Sequence, residues 1–458
     1  METINNPLKC AGLLFLMMLP SLAAADSSGG YIGNIAPMRE RVQQMEAFWK
    51  QKKAEVLPLI MREQGVDFWI VRNDEAGRYY NNEGPVYTSL LPANYEGMTF
   101  PSQHVPPGSQ ATPRIMVFFD DGNDIEYHEP RDLRELEELM EKLNPERIAI
   151  SYDNSVRLLD ALTAYRGSLV DSWTLGVRWL ETMVPAQIEA YRSVQGIANE
   201  LIAEGFSNAA ITPGVTTTDD LNWWFRQRML ELDIEYENHP SIRLQRRPES
   251  IKKYAGEAHE FEHGAVGNGQ NVVIRPGDVI TIDSDIFMLG LVTDSHQHVY
   301  ILDDGETEVP ASLQTAIEIV NALQDEYAKE FIIGRTGKEI VAATDEIERP
   351  NRVVESEMAF HPPPMYFRRY LLGGYMFSHK TYVAGMTSSP GYYPSSIVSN
   401  DHQLHENTLY AYEPHTWVQV DGWGPQGIEL GMGQIVVADA DGLHYLNRSQ
   451  QKDWHVVR

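Results

Sequence analysis

The chain has 458 residues, with 65 Asp and Glu against 37 Lys and Arg and a formal net charge of −28. Proteins that bind nucleic acids or anionic membranes carry stripes of Lys and Arg, which this sequence lacks. We therefore expect neither as a partner. The length predicts two or more domains. The single cysteine, Cys10, lies within the first 25 residues, and no disulfide or thiol chemistry is expected beyond them.

The first 25 residues have the pattern of a secretory signal peptide. Lys9 precedes an apolar stretch over residues 11–22, and three alanines stand before Asp26. The stretch is shorter than the ~20 apolar residues that a transmembrane helix needs. We therefore expect residues 1–25 to be removed and the mature protein to be exported, periplasmic or secreted, with no membrane as its partner.

The next segment alternates helices with strands. Its hydrophobic periodicity predicts a helix, three strands, a charged helix and a fourth strand, over residues 37–64, 67–71, 114–119, 124–127, 131–143 and 147–152. This order predicts an N-terminal α/β domain over residues 26–180. Residues 80–112 are rich in Pro, Gly, Ser and Asn and form a long excursion, which is either a lid or an insertion.

A pair of helices joined by a turn is then predicted twice. Pro185 suits a first helical turn, and Thr217 with Asp220 has the spacing of a capping box. The repetition predicts two similar α/β halves around a shared sheet, in a catalytic domain over residues 185–448 with a tail over 449–458. The predicted helices cover residues 185–206, 217–232, 309–329 and 336–347.

Two aspartates stand in an apolar run within the second predicted domain. Asp283 and Asp294 are eleven positions apart, and a hairpin centred near residues 288–290 would place them roughly opposite each other. Like charges so opposed are destabilising, with Cβ atoms about 5 Å apart, unless a cation lies between them. Carboxylates in a strand covered on both faces are costly unless paired or metal-bound. The alternative, a solvated acidic pair, stays open from the hairpin alone.

Three segments carry a family pattern. RPGDVITID, residues 275–283, leads to Asp283, with Asp294 at a set distance behind it. LHENTLYAYEP, residues 404–414, ends in Glu-Pro and nominates Glu413, and His379 follows a Gly-rich approach. Together they resemble the pita-bread metallopeptidases, the family of aminopeptidase P, prolidase, methionine aminopeptidase and creatinase. The resemblance implies a creatinase-type α/β N-terminal domain followed by a pseudo-duplicated pita-bread domain, of class α/β or α+β.

The resemblance also implies a metal site made of Asp283, Asp294, His379, Glu413 and Glu429. The family's final Glu is expected at position 433, where this chain has glycine, and Glu429 is the acid nearest to it. Residues four apart in a strand share a face but stand about 13 Å apart. Glu429 can therefore serve only if a bulge at the neighbouring glycines shifts the register.

Carboxylates and imidazole are ligands that several divalent metals accept. We expect one or two ions, Mn²⁺ in first place and Co²⁺, Fe²⁺ or Zn²⁺ as alternatives, to supply a metal-activated hydroxide. Glu413, His263 and His296 are the expected catalytic residues, with Glu413 passing a proton to the leaving nitrogen. His296 follows Asp294 on the same strand face. Three roles stay open for it: a hydrogen-bond partner of a ligand, an extra ligand, or merely a polar residue near a strand end.

The resemblance implies an exported metal-dependent exopeptidase, a Xaa-Pro aminopeptidase or dipeptidase that acts on a peptide substrate and forms a homodimer. A non-catalytic or metal-depleted relative that binds a peptide or protein partner is the alternative, and Gly433 favours it. A creatinase-like hydrolysis of a small C–N bond without metal is a third hypothesis, against which the retained aspartates count.

Overall fold

A computed structural model describes residues 30–72, 90, 115–151, 156–234, 240–256, 261, 265–267, 270–348, 403–412, 415–424, 427–447 and 450–458. The predicted signal peptide and most of the 80–112 excursion lie outside these residues, as do His263, His379 and Glu413. Within them, no helix is both long and apolar enough to cross a bilayer. Two 3-10 helices cover Ile32–Asn34 and Leu162–Ser168.

The predicted helices and strands occur in the predicted order, together with further short elements that the sequence patterns did not indicate. The helices are α1 (Met38–Glu63), α2 (Leu133–Leu143), α3 (Val156–Ala161), α4 (Trp173–Glu181), α5 (Pro185–Gly205), α6 (Thr218–Glu231), α7 (Pro248–Lys253), α8 (Ala311–Ala328) and α9 (Gly337–Glu348). The strands before the middle of the chain are β1 (Phe68–Arg72), β2 (Ile115–Asp120), β3 (Ile125–His128), β4 (Ile148–Ile150), β5 (Leu169–Asp171), β6 (Ser241–Gln245) and β7 (Ala265–Val266). The later strands are β8 (Val279–Ser284), β9 (Phe287–Met288), β10 (Leu291–Val292), β11 (Ser295–Ile301), β12 (Thr408–Tyr412), β13 (His415–Val418), β14 (Ile428–Gly431), β15 (Gln434–Asp439), β16 (Gly442–Tyr445) and β17 (His455–Val457).

The N-terminal sheet has the order β3-β2-β1-β4-β5 and is covered on both faces. Strand β1 is parallel to β4 and antiparallel to β2. Its residues alternate between two cores: Trp69 packs in the cluster that contains Leu57 of α1, and Ile70 packs in the cluster that contains Leu136 of α2. Because both faces of β1 are buried, its residues form a continuous apolar run, and this run allowed the strand to be predicted from the sequence.

The second part of the chain is built from two similar halves, as predicted. Each second helix begins with a capping box, Thr217 with Asp220 before α6 and Thr336 with Glu339 before α9. Each turn before that box contains a glycine with positive φ. The amide of this glycine donates to a carbonyl oxygen about 60 to 70 residues further along the chain, Gly214 to Ile274 at 2.7 Å and Gly334 to Leu404 at 2.8 Å. The same local chemistry therefore starts both halves.

The sheets of the two halves meet along β11. The first half has the order β17-β11-β8-β6-β7, in which the C-terminal strand β17 pairs in parallel with β11. The second half contains β12-β15-β16 and the separate pair β13-β14. The Gln195 side chain of α5 joins the halves, because its amide donates to the Ser295 hydroxyl at 2.9 Å and its oxygen accepts from the Ile435 amide at 3.4 Å.

Candidate metal centre

The hairpin between β8 and β11 sets which side chains face each other. Strands β9 and β10 close it around a two-residue turn, Leu289 and Gly290, with φ of 59° and 70°. Positive φ at both central residues is the conformation of a type I′ turn, whose twist matches that of the flanking strands. This register pairs Asp283 with His296 across β8 and β11. The expectation that Asp294 lies opposite Asp283 is therefore wrong, since Asp294 stands just before β11 begins.

Asp283, Asp294 and His296 nevertheless come together. Nε2 of His296 lies 3.1 Å from Oδ1 of Asp283 and 3.4 Å from Oδ1 of Asp294. The side chains of His296 and Asp294 are 6% and 7% exposed, whereas that of Asp283 is 50% exposed. The group is thus buried on two sides and open to solvent on the side of Asp283.

The electrostatics of the group agree with the need for a positive charge between the aspartates. Burial lowers the pKa of His296, but the charges of Asp283 and Asp294 and the hydrogen bond to Asp283 outweigh it and raise the pKa to about 9. A proton on the imidazole thus offsets part of the carboxylate charge. A metal ion would supply the positive charge instead, and its binding would release that proton.

The three residues fit a divalent metal ion. One ligand atom from each lies within 4.8 Å of the others. With metal–ligand bonds of about 2.1 Å, adjacent ligand atoms lie about 3 Å apart, close to the separations of 3.1 and 3.4 Å seen here. Two carboxylates and one imidazole are ligands that Mn²⁺, Fe²⁺, Co²⁺ and Zn²⁺ accept. The exposed side of Asp283 leaves room for a water molecule and a substrate.

His298, two residues further along β11, has a different role. Its Nδ1 lies 2.9 Å from the Thr281 hydroxyl and its Nε2 lies 2.8 Å from the Gly431 carbonyl oxygen. Burial lowers its pKa to about 3, so the ring is neutral, with Nε2–H donating to the carbonyl. His298 therefore fastens β11 to β8 and to the second half, which supports the position of His296. Alternation alone could not separate the two histidines, because both lie on the same strand face.

The structure does not bring Glu429 into the group. Its carboxylate forms an ion pair with Arg243 of β6, and its backbone is held by the Gln245 amide through two hydrogen bonds of 2.8 Å. The bulge that this role would need does not shift the pairing: Gly431 pairs with His415 and Gln434 with Tyr412, so two residues lie between these pairs on each strand. Glu429 as a metal ligand stays a prediction.

Sequence reasoning overlooked Arg243, which belongs to the same face of the sheet. It pairs in register with Thr281, and Ser241 pairs with Asp283. Polar residues alternate with apolar ones along β6, at Ser241, Arg243 and Gln245, and this pattern is the signal that marks the face. The assignments of His263, His379 and Glu413 also stay predictions, since these residues lie outside the described part of the chain.

Comparisons with known proteins agree with this architecture. The model of metallopeptidase family M24 matches residues 189–437, more than half of the chain. The fold is similar to that of X-Pro aminopeptidase from Thermotoga maritima, at 17% identity and a TM-score of 0.51, over 87% of this chain and 100% of the other.

A putative aminopeptidase P from Bacillus anthracis is similar at 11% identity and a TM-score of 0.52, over 88% of this chain and 94% of the other. At such identities the likeness concerns the fold. None of the curated proteins compared with the chain matches it. The family match over the segment that contains Asp283, Asp294 and His296 identifies the chain as a member of metallopeptidase family M24, a peptidase hydrolase of pita-bread fold in a family that uses divalent metals.

Proposed function

We propose that this chain is an exported metal-dependent exopeptidase that cleaves beside proline, as a Xaa-Pro aminopeptidase or dipeptidase. The observation that carries the proposal is the group of Asp283, Asp294 and His296, which fits a divalent ion within the segment that matches the M24 family. The similar folds of an X-Pro aminopeptidase and a putative aminopeptidase P support the choice of proline peptides. Mn²⁺ is the proposed metal, with Co²⁺, Fe²⁺ and Zn²⁺ as alternatives and one or two ions per site.

The residues of the chain would act as follows. Asp283 and Asp294 would hold the ion, which when bound would supply a water molecule of lowered pKa as the nucleophile at neutral pH. The 50% exposure of the Asp283 side chain leaves one side open for the peptide. Burial of Asp294 and His296 keeps the other sides dry, and electrostatic interactions are stronger there than in water.

The remaining roles rest on the family resemblance. His379 and Glu413 are proposed as further metal ligands, with Glu413 also passing a proton to the leaving nitrogen, and His263 as a helper in catalysis. Glu429 as a ligand would require its carboxylate to leave Arg243. A homodimer and removal of residues 1–25 during export are part of the same proposal.

Metal analysis and a peptide panel test the proposed activity. Purified protein that begins at Asp26 is assayed for bound metal and for cleavage of Xaa-Pro peptides against Xaa-Ala peptides of the same length. We expect metal-dependent cleavage with a preference for proline. Asp294→Asn should abolish cleavage and most metal binding, because it removes a buried charged ligand.

A matched control lies in another hairpin of the chain. Asp439 and His444 form an exposed pair at 3.1 Å, so Asp439→Asn removes an Asp–His contact away from the group and should leave both readouts unchanged. Cleavage without proline preference would refute the substrate assignment. Tight binding of the peptides without cleavage, in protein loaded with any of the four metals, would favour the alternative of a peptide-binding relative.

Two measurements test export and assembly. N-terminal sequencing of the exported protein should show a chain that begins at Asp26. Light scattering on that protein should give the mass of a dimer. A monomer mass, or an intact N-terminus in the exported fraction, would contradict the corresponding part of the proposal.

A further inference from the structure

We infer that His296 is a metal ligand that takes, from strand β11, the place of the acidic ligand that the family resemblance implies at position 433. The inference rests on the proposed metal-dependent function and deepens it, since it assigns a donor that belongs to this chain. Two independent features support it: the contacts of the imidazole with two aspartates, and the space that its ring occupies beside Gly433.

The imidazole is aimed at the aspartates by the register of the hairpin. Asp283 and His296 are direct partners across β8 and β11, so their side chains point to the same side of the sheet. The same ring nitrogen, Nε2, approaches both carboxylates, at 3.1 Å from Asp283 and 3.4 Å from Asp294. A single nitrogen directed at two carboxylate oxygens is placed to share one ion with them.

Gly433 makes room for this imidazole. A Cβ atom added at Gly433 would lie 2.7 Å from Cγ and 2.8 Å from Nδ1 of His296, closer than real Cβ contacts come. The φ of Gly433 is not positive, so its backbone conformation suits any residue and the need for glycine is steric. Any side chain at position 433 would therefore collide with the present position of the ring.

The backbone holds the two positions together. The amide of His296 donates to the Gly433 carbonyl oxygen at 3.0 Å, across the boundary between the two halves. The ring thus fills the space into which a residue 433 side chain would project. The imidazole at 296 and the glycine at 433 therefore depend on each other, because the ring can lie here only if residue 433 has no side chain.

The neighbouring histidine and glutamate within the described part of the chain are engaged elsewhere. His298 is fastened through both ring nitrogens, to Thr281 and to the Gly431 carbonyl. Glu429 is paired with Arg243. Among the described residues, His296 completes the set of three with Asp283 and Asp294.

The exchange alters the chemistry of the site. A neutral imidazole in place of a carboxylate makes the ligand set less negative by one charge. Imidazole suits Zn²⁺ and Fe²⁺, whereas an all-carboxylate set suits Mn²⁺ and Mg²⁺. Compared with a site that has the acid, the relative affinity of this site should therefore be shifted away from Mn²⁺ and toward the alternatives Zn²⁺, Co²⁺ and Fe²⁺.

Metal titration of the mature protein tests the assignment without any assay of activity. Dissociation constants for Zn²⁺, Co²⁺ and Mn²⁺ are measured by calorimetry for the wild type, His296→Gln, His296→Ala and the control His444→Ala. We expect both His296 variants to bind Zn²⁺ and Co²⁺ at least about tenfold more weakly, with the Co²⁺ absorption spectrum changed. His444 is 46% exposed in another hairpin, so its variant should match the wild type.

The rival explanation makes the opposite prediction. If His296 serves only as a protonated partner of the two aspartates, it competes with the metal, and its removal would leave affinity unchanged or raise it. Either result, in variants whose circular dichroism spectra match the wild type, would overturn the assignment. X-ray absorption on the Zn²⁺-loaded proteins gives a second readout, in which His296→Gln should lower the number of coordinating imidazoles by one.

An exchange variant tests the steric part of the inference. His296→Gly combined with Gly433→Glu moves the donor back to position 433, and we expect it to bind Mn²⁺ within about tenfold of the wild type, with a lower Zn²⁺ to Mn²⁺ preference. Gly433→Glu alone should bind every metal more weakly, because the new side chain meets the ring. Wild-type metal affinity in Gly433→Glu alone would refute this steric argument. If the combined variant does not fold, the titrations of His296→Gln decide.

Failure of this inference and failure of the proposed function give different results. Metal binding that depends on His296, without cleavage of any Xaa-Pro peptide, would support the ligand assignment and refute the peptidase proposal. Proline-specific cleavage with an unchanged metal affinity in His296→Gln would support the peptidase and refute the ligand assignment.

Discussion

A buried ion pair lies at the start of β8, the strand that carries Asp283. Nε and Nη2 of Arg246 donate to the two carboxylate oxygens of Asp278 at 2.7 and 2.8 Å, and the Arg275 amide donates to one of them at 2.7 Å. The side chains of Arg246 and Asp278 are 1% and 0% exposed. Asp278→Asn keeps the shape of the side chain but removes the charge that balances the guanidinium.

The expected loss is large because both charges are buried. Removing one partner of a buried pair typically costs about 3–5 kcal/mol, since the other charge stays away from water without its counterion. The same geometry at the surface has a weaker effect. Arg228 also makes two hydrogen bonds to a carboxylate, that of Glu204, at 2.7 and 3.2 Å, but these side chains are 29% and 39% exposed, so Glu204→Gln is the control.

Urea unfolding followed by circular dichroism measures both variants against the wild type. We expect Asp278→Asn to lower the free energy of unfolding by about 3 kcal/mol or more, and Glu204→Gln to cause a much smaller loss. Equal losses in the two variants would show that burial does not set the strength of these pairs and would refute the reasoning.

Three further predictions concern the rest of the fold. Burial lowers the pKa of Lys52 to about 7, partly opposed by the charge of Glu181, whereas the unfolded chain keeps this proton up to about pH 10.5. The unfolded state thus binds more protons between pH 7 and 10.5, and the stability of the fold rises with pH in this range. Lys52→Met should raise the free energy of unfolding at pH 7 by up to about 4 kcal/mol and should flatten the dependence of stability on pH in a series of denaturation curves. An unchanged slope would contradict the buried lysine. Gly205→Ala should lower the melting temperature, since the new Cβ would lie 2.1 Å from the ring of buried Phe225 and overpacking costs about 1–3 kcal/mol. A higher melting temperature, which helix propensity alone predicts, would show that the ring moves aside. Deletion of residues 455–458 removes β17 and exposes the edge of β11. We therefore expect a lower melting temperature and concentration-dependent association in sedimentation, and a monodisperse protein of unchanged stability would contradict this expectation.

Local patterns accounted for much of the fold. The predicted helix over residues 37–64 is α1 (Met38–Glu63), and the predicted helix from Pro185 is α5 (Pro185–Gly205). The capping box of Thr217 and Asp220 forms as expected. These features depend on apolar periodicity and on side chains a few positions apart, so short stretches of sequence contain the information.

The candidate site depended on more distant relationships. The sequence showed that Asp283 and Asp294 need a positive group near them, because carboxylates in an apolar strand are costly. It could not show which residue faces Asp283, because a shift of the turn by one residue changes every pair across the hairpin. The type I′ turn at Leu289 and Gly290 selected His296.

By itself, then, the sequence determined the order of the main elements, the repeated half and the two aspartates of the candidate site. Only the tertiary structure decided that Glu429 pairs with Arg243 and that the imidazole of His296 lies in the space beside Gly433. The physical reason is that these contacts join strands far apart in the chain. Their geometry depends on how two sheets meet, which no local pattern contains.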